Sequence, residues 1–284
     1  ITGGIGSSFA GERFTVDYDL TNGSLMYAES CAAIGLVRFA SRMLNATGDS
    51  RYADIVERAI FNGVLCGISL SGDKYFYTNY LEVDDNTALY NSGTKERQPW
   101  FSCSCCPTNF CRFLPEMLQY IWSEGEDDIL LNIPVANSYS SKLGEIEVAG
   151  GYPYDGNFTI SVKNIIKENV TLGIRIPDWA EKYNISLNGN SITQTPQDGY
   201  IRVKVGSGDK LECFFDMPIK VMHSNPKITG NAGRVSLMRG PLVYACETID
   251  NPNGISNMII DTSSVLELTK SNGLPEGTIC IKGN

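Results

Sequence analysis

Three cysteines within four positions form the most restrictive feature of this sequence. Cys103, Cys105 and Cys106 lie in the stretch WFSCSCCPTN, residues 100–109. Adjacent cysteines rarely form a disulfide with each other, because the ring would be small and strained. Thiols this close together are therefore typical of metal ligands, or of one activated thiol with supporting groups.

A helical pattern follows these cysteines over residues 110–122, with Pro115 expected in its first turn or at a kink. The thiols are therefore predicted to lie in a loop that leads into a helix. The positive end of the helix dipole and the free N–H groups favour the thiolate form at that place.

A second segment must complete any metal site, since this stretch provides at most three ligands. Glu29 and Cys31 are the best candidates. Residues with this spacing cannot share one face of a regular helix, but they can converge at an irregular start of a helix. Together with Cys105 and Cys106 they would form a four-coordinate, thiolate-rich site, which suits zinc.

Two other interpretations of the cysteines stay open. They could be buried and inert, or they could form a purely structural zinc knuckle. A knuckle normally shows two Cys-x-x-Cys pairs, which this sequence lacks.

Composition and charge exclude some classes of partner. The chain has 284 residues, enough for two domains and a large core. Its net charge of −9 argues against nucleic acid and anionic membranes as partners, whereas a neutral sugar is compatible with it. No apolar run approaches the roughly 20 residues of a membrane-spanning helix, and no signal peptide is visible after Ile1. Nine cysteines without the spacing of a disulfide scaffold predict reduced thiols and a cytoplasmic location.

Helical patterns precede the cysteine stretch. Residues 31–44 and 52–66 carry apolar faces, and Ser50 is the predicted N-cap of the second helix. Helices paired by short turns fit an α/α barrel or a solenoid. Residues 75–81 are predicted as a strand or extended loop, and residues 82–99 as a surface loop.

The pattern changes to short strands after the acidic run at residues 124–128. Runs rich in β-branched residues alternate with turn residues and predict β-sandwich hairpins, at 158–162, 170–176, 183–187, 200–205 and 210–215. Further strands are predicted at 235–238 and 242–246. The fold class is therefore α+β and multidomain, part of an α/α barrel followed by β-sandwich domains. The predicted divisions are 1–126 for the partial barrel, 127–226 for the first sandwich and 227–284 for a partial second one.

Several motifs together resemble one enzyme family. They are GGIGSS at 3–8, GExF at 11–14, DYDL at 17–20, ExCA at 29–32, YAD at 52–54, NG at 62–63, FYxN at 76–79, CxCCPxN at 103–109 and RGPLVY at 239–244. This set resembles glycoside hydrolase family 127, the β-L-arabinofuranosidase family. The resemblance covers nearly the whole chain and is most specific at the cysteine motif.

The resemblance implies a chemistry for these residues. It implies a retaining glycosidase in which Cys105 is the nucleophile and Glu12 is the acid/base, although an exposed loop glutamate is usually just solvated. Zinc bound by Glu29, Cys31, Cys105 and Cys106 would stabilise the thiolate, with Cys103 in support. Glu57 and Tyr77 match sugar-binding positions of the family, but they could equally be a helix-surface charge and a core aromatic residue.

The chain also departs from the family pattern. Phe9 stands where the family often has a histidine, and the only histidine, His223, lies in the β region, where a surface role is expected. The resemblance begins partway through the helical domain of the family. We therefore expect the barrel to be completed by an N-terminal half on another chain or by a homo-oligomer. The chain alone should keep zinc but show little glycosidase activity.

Two functions are consistent with these residues. The first is a zinc-thiolate retaining glycosidase that acts on β-L-arabinofuranosides or a related sugar. The second is a non-catalytic carbohydrate-binding or structural fragment, in which zinc joins helices to a β-sandwich. An acid at Glu12 across a sugar-sized gap from Cys105 would distinguish them, because a structural metal site has no use for that acid.

Overall fold

The helices come first in the chain and the β-sheets follow. The computed structural model describes residues 2–7, 12–20, 26–83, 94–251, 254–255, 258–261, 264–270, 274–275 and 277–283. These residues form three α-helices and fifteen strands in four sheets. Phe9, part of the glycine-rich stretch and most of the predicted 82–99 loop lie outside the described residues.

Two of the helices pack as an antiparallel pair near the start of the chain. Helix α1 spans Ser30–Thr47 and α2 spans Arg51–Ala59. Gly48 ends α1 in the left-handed region, with φ of 71°, and its N–H donates to Leu44 O at 2.7 Å. Helix α2 continues as a π-helical turn, Ile60–Val64, and a 3₁₀ turn, Leu65–Gly67. The two predicted helices are confirmed, although the second is regular over only its first half.

The predicted N-cap of α2 does not cap it. The Ser50 side chain makes no capping hydrogen bond. Asp49 Oδ1 instead accepts from Arg51 N at 3.0 Å. Ser50 is buried against Gly199, where a Cβ atom would lie 1.7 Å from the serine hydroxyl.

The third helix begins earlier than predicted. Helix α3 spans Cys105–Glu116, and a 3₁₀ turn, Met117–Tyr120, follows it. Cys105 and Cys106 are therefore the first two helical residues and do not lie in a loop. Pro107 is tolerated in this first turn because its missing N–H would have no helical partner there. Pro115 falls in the last turn, where the helix changes to 3₁₀ geometry.

The strands are numbered in chain order. Their bounds are β1 Trp122–Glu124, β2 Asp128–Leu131, β3 Asn137–Ser140, β4 Gly144–Gly150, β5 Asn157–Ile165, β6 Thr171–Arg175, β7 Tyr183–Leu187, β8 Asn190–Ser191, β9 Tyr200–Lys204, β10 Lys210–Phe215, β11 Ile219–His223, β12 Val235–Arg239, β13 Leu242–Val243, β14 Glu267–Lys270 and β15 Ile279–Lys282. The predicted strands between residues 158 and 243 are thus confirmed within a few residues at each end.

Two larger sheets share one apolar core. One has four strands in the order β1-β2-β6-β9, and the other has six in the order β3-β4-β5-β10-β7-β8. Every pair is antiparallel except β2 with β6. Alternate residues of β4, β5 and β10 point into the core, as in the exposed–buried alternation of Lys210 to Phe215. The buried residues of α1, α2 and α3 belong to the same cluster, so the helices pack directly on the sheets.

The smaller sheets lie in the C-terminal part of the chain. Strands β11, β12 and β13 form one sheet, and β14 pairs with β15 in another. Strand β11 pairs with β12 along its whole length, from Ile219–Arg239 to His223–Val235. The predicted division between residues 226 and 227 therefore falls inside one sheet, which favours a division before Ile219.

The described helices are all too short or too polar to cross a membrane. All nine cysteines lie in the described residues, and each is a free thiol.

Candidate metal centre and active site

Backbone pairing fixes the first half of the site. Glu29 forms an isolated antiparallel bridge with Thr78, and Ser30 N donates to Tyr77 O at 2.9 Å. Glu29 is the N-cap residue of α1, with extended φ and ψ of −66° and 136°. Cys31 follows in the first helical turn. This break between extended and helical backbone lets the carboxylate and the thiol, two residues apart, converge on one point.

The first turn of α3 supplies the second half. The Sγ atoms of Cys105 and Cys106 each lie 3.4 Å from Glu29 Oε1, and Cys31 Sγ lies 3.4 Å from Cys105 Sγ. The ligand atoms of all four residues lie within 4.8 Å of one another. The structure therefore brings together the four residues predicted as metal ligands.

The spacing of these atoms suits a tetrahedral zinc ion. With Zn–S bonds of about 2.3 Å, two sulfur ligands of a tetrahedron lie about 3.8 Å apart. The observed 3.4 Å between Cys31 Sγ and Cys105 Sγ is near that value and far beyond a disulfide bond of about 2.05 Å. Three sulfurs and one carboxylate oxygen are also a donor set that zinc accepts. The residues present fit the ion.

The thiols of the cluster differ in pKa. A hydrogen bond with Cys106 lowers the pKa of the Cys31 thiol to about 7. Burial raises the pKa of the Cys105 thiol to about 11, and the hydrogen bond with Cys31 raises the pKa of Cys106 well above its usual value. Protein groups alone therefore favour one thiolate, and a bound cation is needed to hold all three as thiolates near neutral pH.

Exposure separates one cysteine from the others. Cys106 is fully buried, Cys31 is half-buried and Cys105 is exposed. Glu29 is only 8% exposed. Within the cluster, Cys105 is thus the thiol that a substrate can reach.

Two tyrosines connect this exposed thiol to the predicted acid. The Tyr77 hydroxyl lies close to the Cys105 thiol and to the Tyr27 hydroxyl, and it can donate to one of them at a time. Tyr27 OH in turn donates to Glu12 Oε1 at 3.1 Å. Three short polar contacts in series span roughly 10 Å, which is the separation that a sugar between Glu12 and Cys105 would need.

An ion pair joins the two helices that carry the cysteines. The Arg38 guanidinium on α1 donates to both carboxylate oxygens of Glu116 on α3, at 3.0 and 2.9 Å. Arg38 also contacts Asn109 Oδ1 at 3.5 Å, and the Asn109 side chain is hydrogen-bonded to Cys31. These contacts hold the ligand-bearing turns in a fixed relation.

Cys103 and His223 lie outside the metal cluster. Cys103 is exposed in the turn before α3, and its thiol is 3.9 Å from Tyr77 OH. It therefore contacts the tyrosine that borders the site, which agrees with a supporting position. His223 is exposed at the end of β11, as expected for a surface residue.

Glu57 requires a correction. It is 1% exposed, and its carboxylate accepts hydrogen bonds from Arg175, Tyr152 and Trp179. A carboxylate that is buried in this way is out of reach of a sugar hydroxyl in this structure. Glu57 is also not the helix-surface charge of the alternative interpretation. It lies on the face of α2 that packs against the β-sheets, and its role there is structural.

Glu57 belongs to a buried ionic group that the sequence did not reveal. Arg175, at the end of β6, is ion-paired with both Glu57 and Asp54, and its Nε donates to Asn132 O at 2.5 Å. Asp54 also accepts from the backbone N–H of Asp178 at 3.1 Å. Burial raises the pKa of Asp54 to about 6, although Arg175 opposes that change.

Tyr27 is the site residue that sequence reasoning missed. It lies two positions before Glu29, at the end of a stretch that shows no sustained period. Tyr27 is 2% exposed, and only the position of its hydroxyl in the folded chain reveals the contact with Glu12.

Comparison with protein families agrees with the resemblance in the sequence. A model described as the GH127 catalytic domain of beta-L-arabinofuranosidase matches residues 1–119. Models of the GH127 middle domain and of the glycoside hydrolase family 127 C-terminal domain match residues 128–219 and 219–272. The chain belongs to glycoside hydrolase family 127.

Individual relatives of this GH127 chain are similar over nearly all of its length. It is 37% identical over 270 residues to the non-reducing end beta-L-arabinofuranosidase of Bifidobacterium longum subsp. longum, a match that covers 90% of the chain and 41% of that enzyme. A crystal structure of a GH127 beta-L-arabinofuranosidase from Geobacillus stearothermophilus T6 superposes with a TM-score of 0.89 at 36% identity, over 99% of this chain and 46% of that one. Another GH127 beta-arabinofuranosidase gives 0.89 at 30% identity, over 99% and 49%. The chain thus spans about half the length of its relatives, or somewhat less.

Proposed function

We propose that the full-length protein is a retaining glycoside hydrolase that cleaves β-L-arabinofuranosides or a closely related sugar. The observation that carries this proposal is the exposed Cys105 thiol, held among Glu29, Cys31 and Cys106 and connected to Glu12 through two tyrosines. The membership in GH127 and the named activities of its relatives support the choice of sugar.

Zinc is the cofactor that we assign to this protein. Glu29, Cys31, Cys105 and Cys106 would hold it, and their donor atoms and spacing support the assignment. Bound zinc would supply positive charge that keeps the cluster in the thiolate form near neutral pH.

Cys105 and Glu12 have different roles in the two steps of the reaction. The Cys105 thiolate attacks the anomeric carbon, so a C–S bond forms while the bond to the leaving oxygen breaks. Glu12 gives its proton to that oxygen. In the second step Glu12 removes a proton from water, the water oxygen bonds to the anomeric carbon, and the C–S electron pair returns to sulfur. Two displacements on the same carbon retain its configuration. Tyr77 is half-buried at the edge of the cluster, which supports the proposal that it contacts the sugar.

The alternative of a purely structural metal site is less well supported. A structural zinc site is closed, with all four ligands fixed and sheltered. Here one ligand, Cys105, is exposed, and an exposed carboxylate lies near it. Both features favour catalysis over a static cross-link.

Three broader parts of the proposal follow from the fold and the cysteines. We propose that α1 to α3 form a section of an α/α barrel and that the two larger sheets form a β-sandwich, which the shared core supports. The free state of all nine thiols supports a reducing compartment such as the cytoplasm. A carbohydrate is the partner that the proposed reaction requires.

Two variants of the full-length protein test the proposed roles. Cys105→Ser should abolish turnover of an aryl β-L-arabinofuranoside, because serine lacks the thiolate nucleophile. Glu12→Gln should lower turnover by roughly 10²–10⁴-fold, the usual contribution of a general acid/base. Because an activated aryl group leaves without acid help, Glu12→Gln should still accumulate a glycosyl adduct.

Mass spectrometry of that adduct decides the assignment. The sugar mass should be found on the peptide that contains Cys105 and not on any other peptide. Cys246→Ser, which alters an exposed cysteine outside the cluster, is the control and should react as the parent does. A sugar on another residue would falsify the role of Cys105.

A further inference from the structure

We infer that Tyr27 is a positioning residue that holds the Glu12 carboxyl group at the correct distance from Cys105. The inference rests on the proposed function, since it assigns Tyr27 a part in the same reaction. It names a residue that acts through Glu12 and does not itself touch the sugar.

The contact between Tyr27 and Glu12 is direct. Tyr27 OH donates to Glu12 Oε1 at 3.1 Å. Within the described part of the chain, it is the one side-chain donor that reaches this carboxylate. Glu12 itself is exposed, and its backbone φ of 46° lies in the left-handed region that non-glycine residues rarely adopt. An exposed glutamate can adopt many rotamers, so a fixed donor is needed to select one of them.

The fold holds Tyr27 firmly. Its ring is 2% exposed, and it lies in the segment that leads into Glu29, a metal-ligand position. Gly6 packs against its backbone so closely that a Cβ atom on Gly6 would lie 2.4 Å from Tyr27 O. Tyr27, which contacts the acid, and Glu29, which belongs to the metal cluster, therefore lie on the same short piece of backbone.

The contact continues to the nucleophile. The rings of Tyr27 and Tyr77 have centroids 6.4 Å apart, and Tyr77 OH lies close to both Tyr27 OH and the Cys105 thiol. Because Tyr27 OH donates to Glu12 and a Cys105 thiolate can only accept, the single Tyr77 proton serves either Tyr27 or Cys105 at one time. The path Glu12–Tyr27–Tyr77–Cys105 thus connects the two groups whose separation decides a retaining mechanism, in which they lie on opposite sides of the sugar.

The hydroxyl of Tyr27 is suited to act as a donor. A phenol hydroxyl is ordinarily protonated near neutral pH, so it can donate to the Glu12 carboxylate there.

Tyr27→Phe in the full-length protein tests the inference. It removes one oxygen atom and keeps the ring. We expect kcat/KM for an alkyl β-L-arabinofuranoside to fall by roughly tenfold, part of the 10²–10⁴-fold that a general acid supplies. For an activated aryl substrate kcat/KM should change by less than about twofold, since that leaving group needs no proton. A merely structural change would lower both values equally.

Controls separate this inference from the proposed function. Tyr200→Phe removes another buried hydroxyl, which donates to Asn132 Oδ1 at 2.6 Å in the β region, and it should leave the ratio of the two kcat/KM values unchanged. In a Glu12→Gln background, Tyr27→Phe should cause no further loss of kcat/KM that is confined to the alkyl substrate, because Tyr27 acts through Glu12.

Each other outcome has a definite meaning. The inference would be overturned if Tyr27→Phe lowered kcat/KM equally for both substrates or lowered it for neither. It would also be overturned if Tyr27→Phe failed to fold, because the hydroxyl would then be needed for folding and not for positioning Glu12. If Glu12→Gln discriminates between the substrates and Tyr27→Phe does not, only the inference fails. If Glu12→Gln does not discriminate either, the proposed role of Glu12 fails as well.

Discussion

Two groups of ionisable side chains occupy different parts of the helical region, and they differ in how their charge is balanced. The group of Glu29, Cys31, Cys105 and Cys106 contains only acidic ligands, and one of its members is exposed. The group of Asp54, Glu57 and Arg175 contains its own cation and is almost completely buried.

This difference shows which of the two groups can bind a ligand and take part in catalysis. In the Arg175 group nearly every donor and acceptor is satisfied by protein atoms, so it fixes α2 to β6 and has nothing left to offer a ligand. The thiol group has no internal countercharge, so it gains stability by binding a cation and keeps one sulfur accessible. A buried carboxylate near a predicted site is therefore not evidence of binding, as Glu57 illustrates.

The largest effect is expected from breaking the Arg175 group. Arg175→Met leaves two buried carboxylates without their cation, which typically costs about 3–5 kcal/mol of unfolding free energy. The matched control is Arg38→Met, whose pair with Glu116 is about a third exposed on each side and should cost no more than about 1 kcal/mol. Urea denaturation measures both values. Equal losses would show that burial does not distinguish the two pairs.

The next effect concerns the metal group. Cys106→Ser removes the fully buried thiol, and zinc affinity should fall by at least about 100-fold, more than the 10–100-fold typical of residues beyond the first ligands. Competition with a chromogenic chelator, together with elemental analysis, measures the loss. Cys246→Ser should bind zinc as the parent does. If both variants keep full affinity, the cluster is not a metal site.

The smallest effect is a pH dependence within the Arg175 group. The pKa of Asp54 is about 6 in the folded chain, above its usual value of 3.8, because burial disfavours the charge. Between pH 4 and 6 the folded state therefore binds more protons at this residue than the unfolded state does. The raised pKa of Asp54 therefore stabilises the folded state below about pH 4. This contribution to the unfolding free energy, on the order of 2–3 kcal/mol, is lost as pH rises through about 6.

The variant Asp54→Asn directly tests the predicted direction of this pH dependence. The variant should lack this fall in unfolding free energy between pH 4 and 6, while Asp49→Asn, at an exposed carboxylate, should keep it. An unchanged slope in Asp54→Asn would mean that Arg175 keeps Asp54 ionised throughout.

Local patterns predicted much of the fold but not its exact boundaries. The helix at Ser30–Thr47 and strands such as Lys210–Phe215 follow from apolar periodicity, because one face of each packs on the core. The start of α3 at Cys105 does not follow from it. Serine, cysteine and proline there carry no strong helical signal, and contacts of the first turn with Glu29 accompany the helical conformation.

The sequence alone indicated the metal-ligand candidates, because clustered thiols and a Glu-x-Cys pair are typical of a thiolate-rich metal site. It also predicted a change from helices to strands at the acidic run 124–128, and the structure places the first strand slightly earlier, at Trp122–Glu124. Only the tertiary structure showed the contacts of Glu57, Arg175 and Tyr27. Arg175 lies 121 positions from Asp54, and Tyr27 lies 15 from Glu12, so no local periodicity connects them. Whether a carboxylate is free to act or is held in an ion pair depends on which distant chain segments pack against it, and packing is a property of the folded chain.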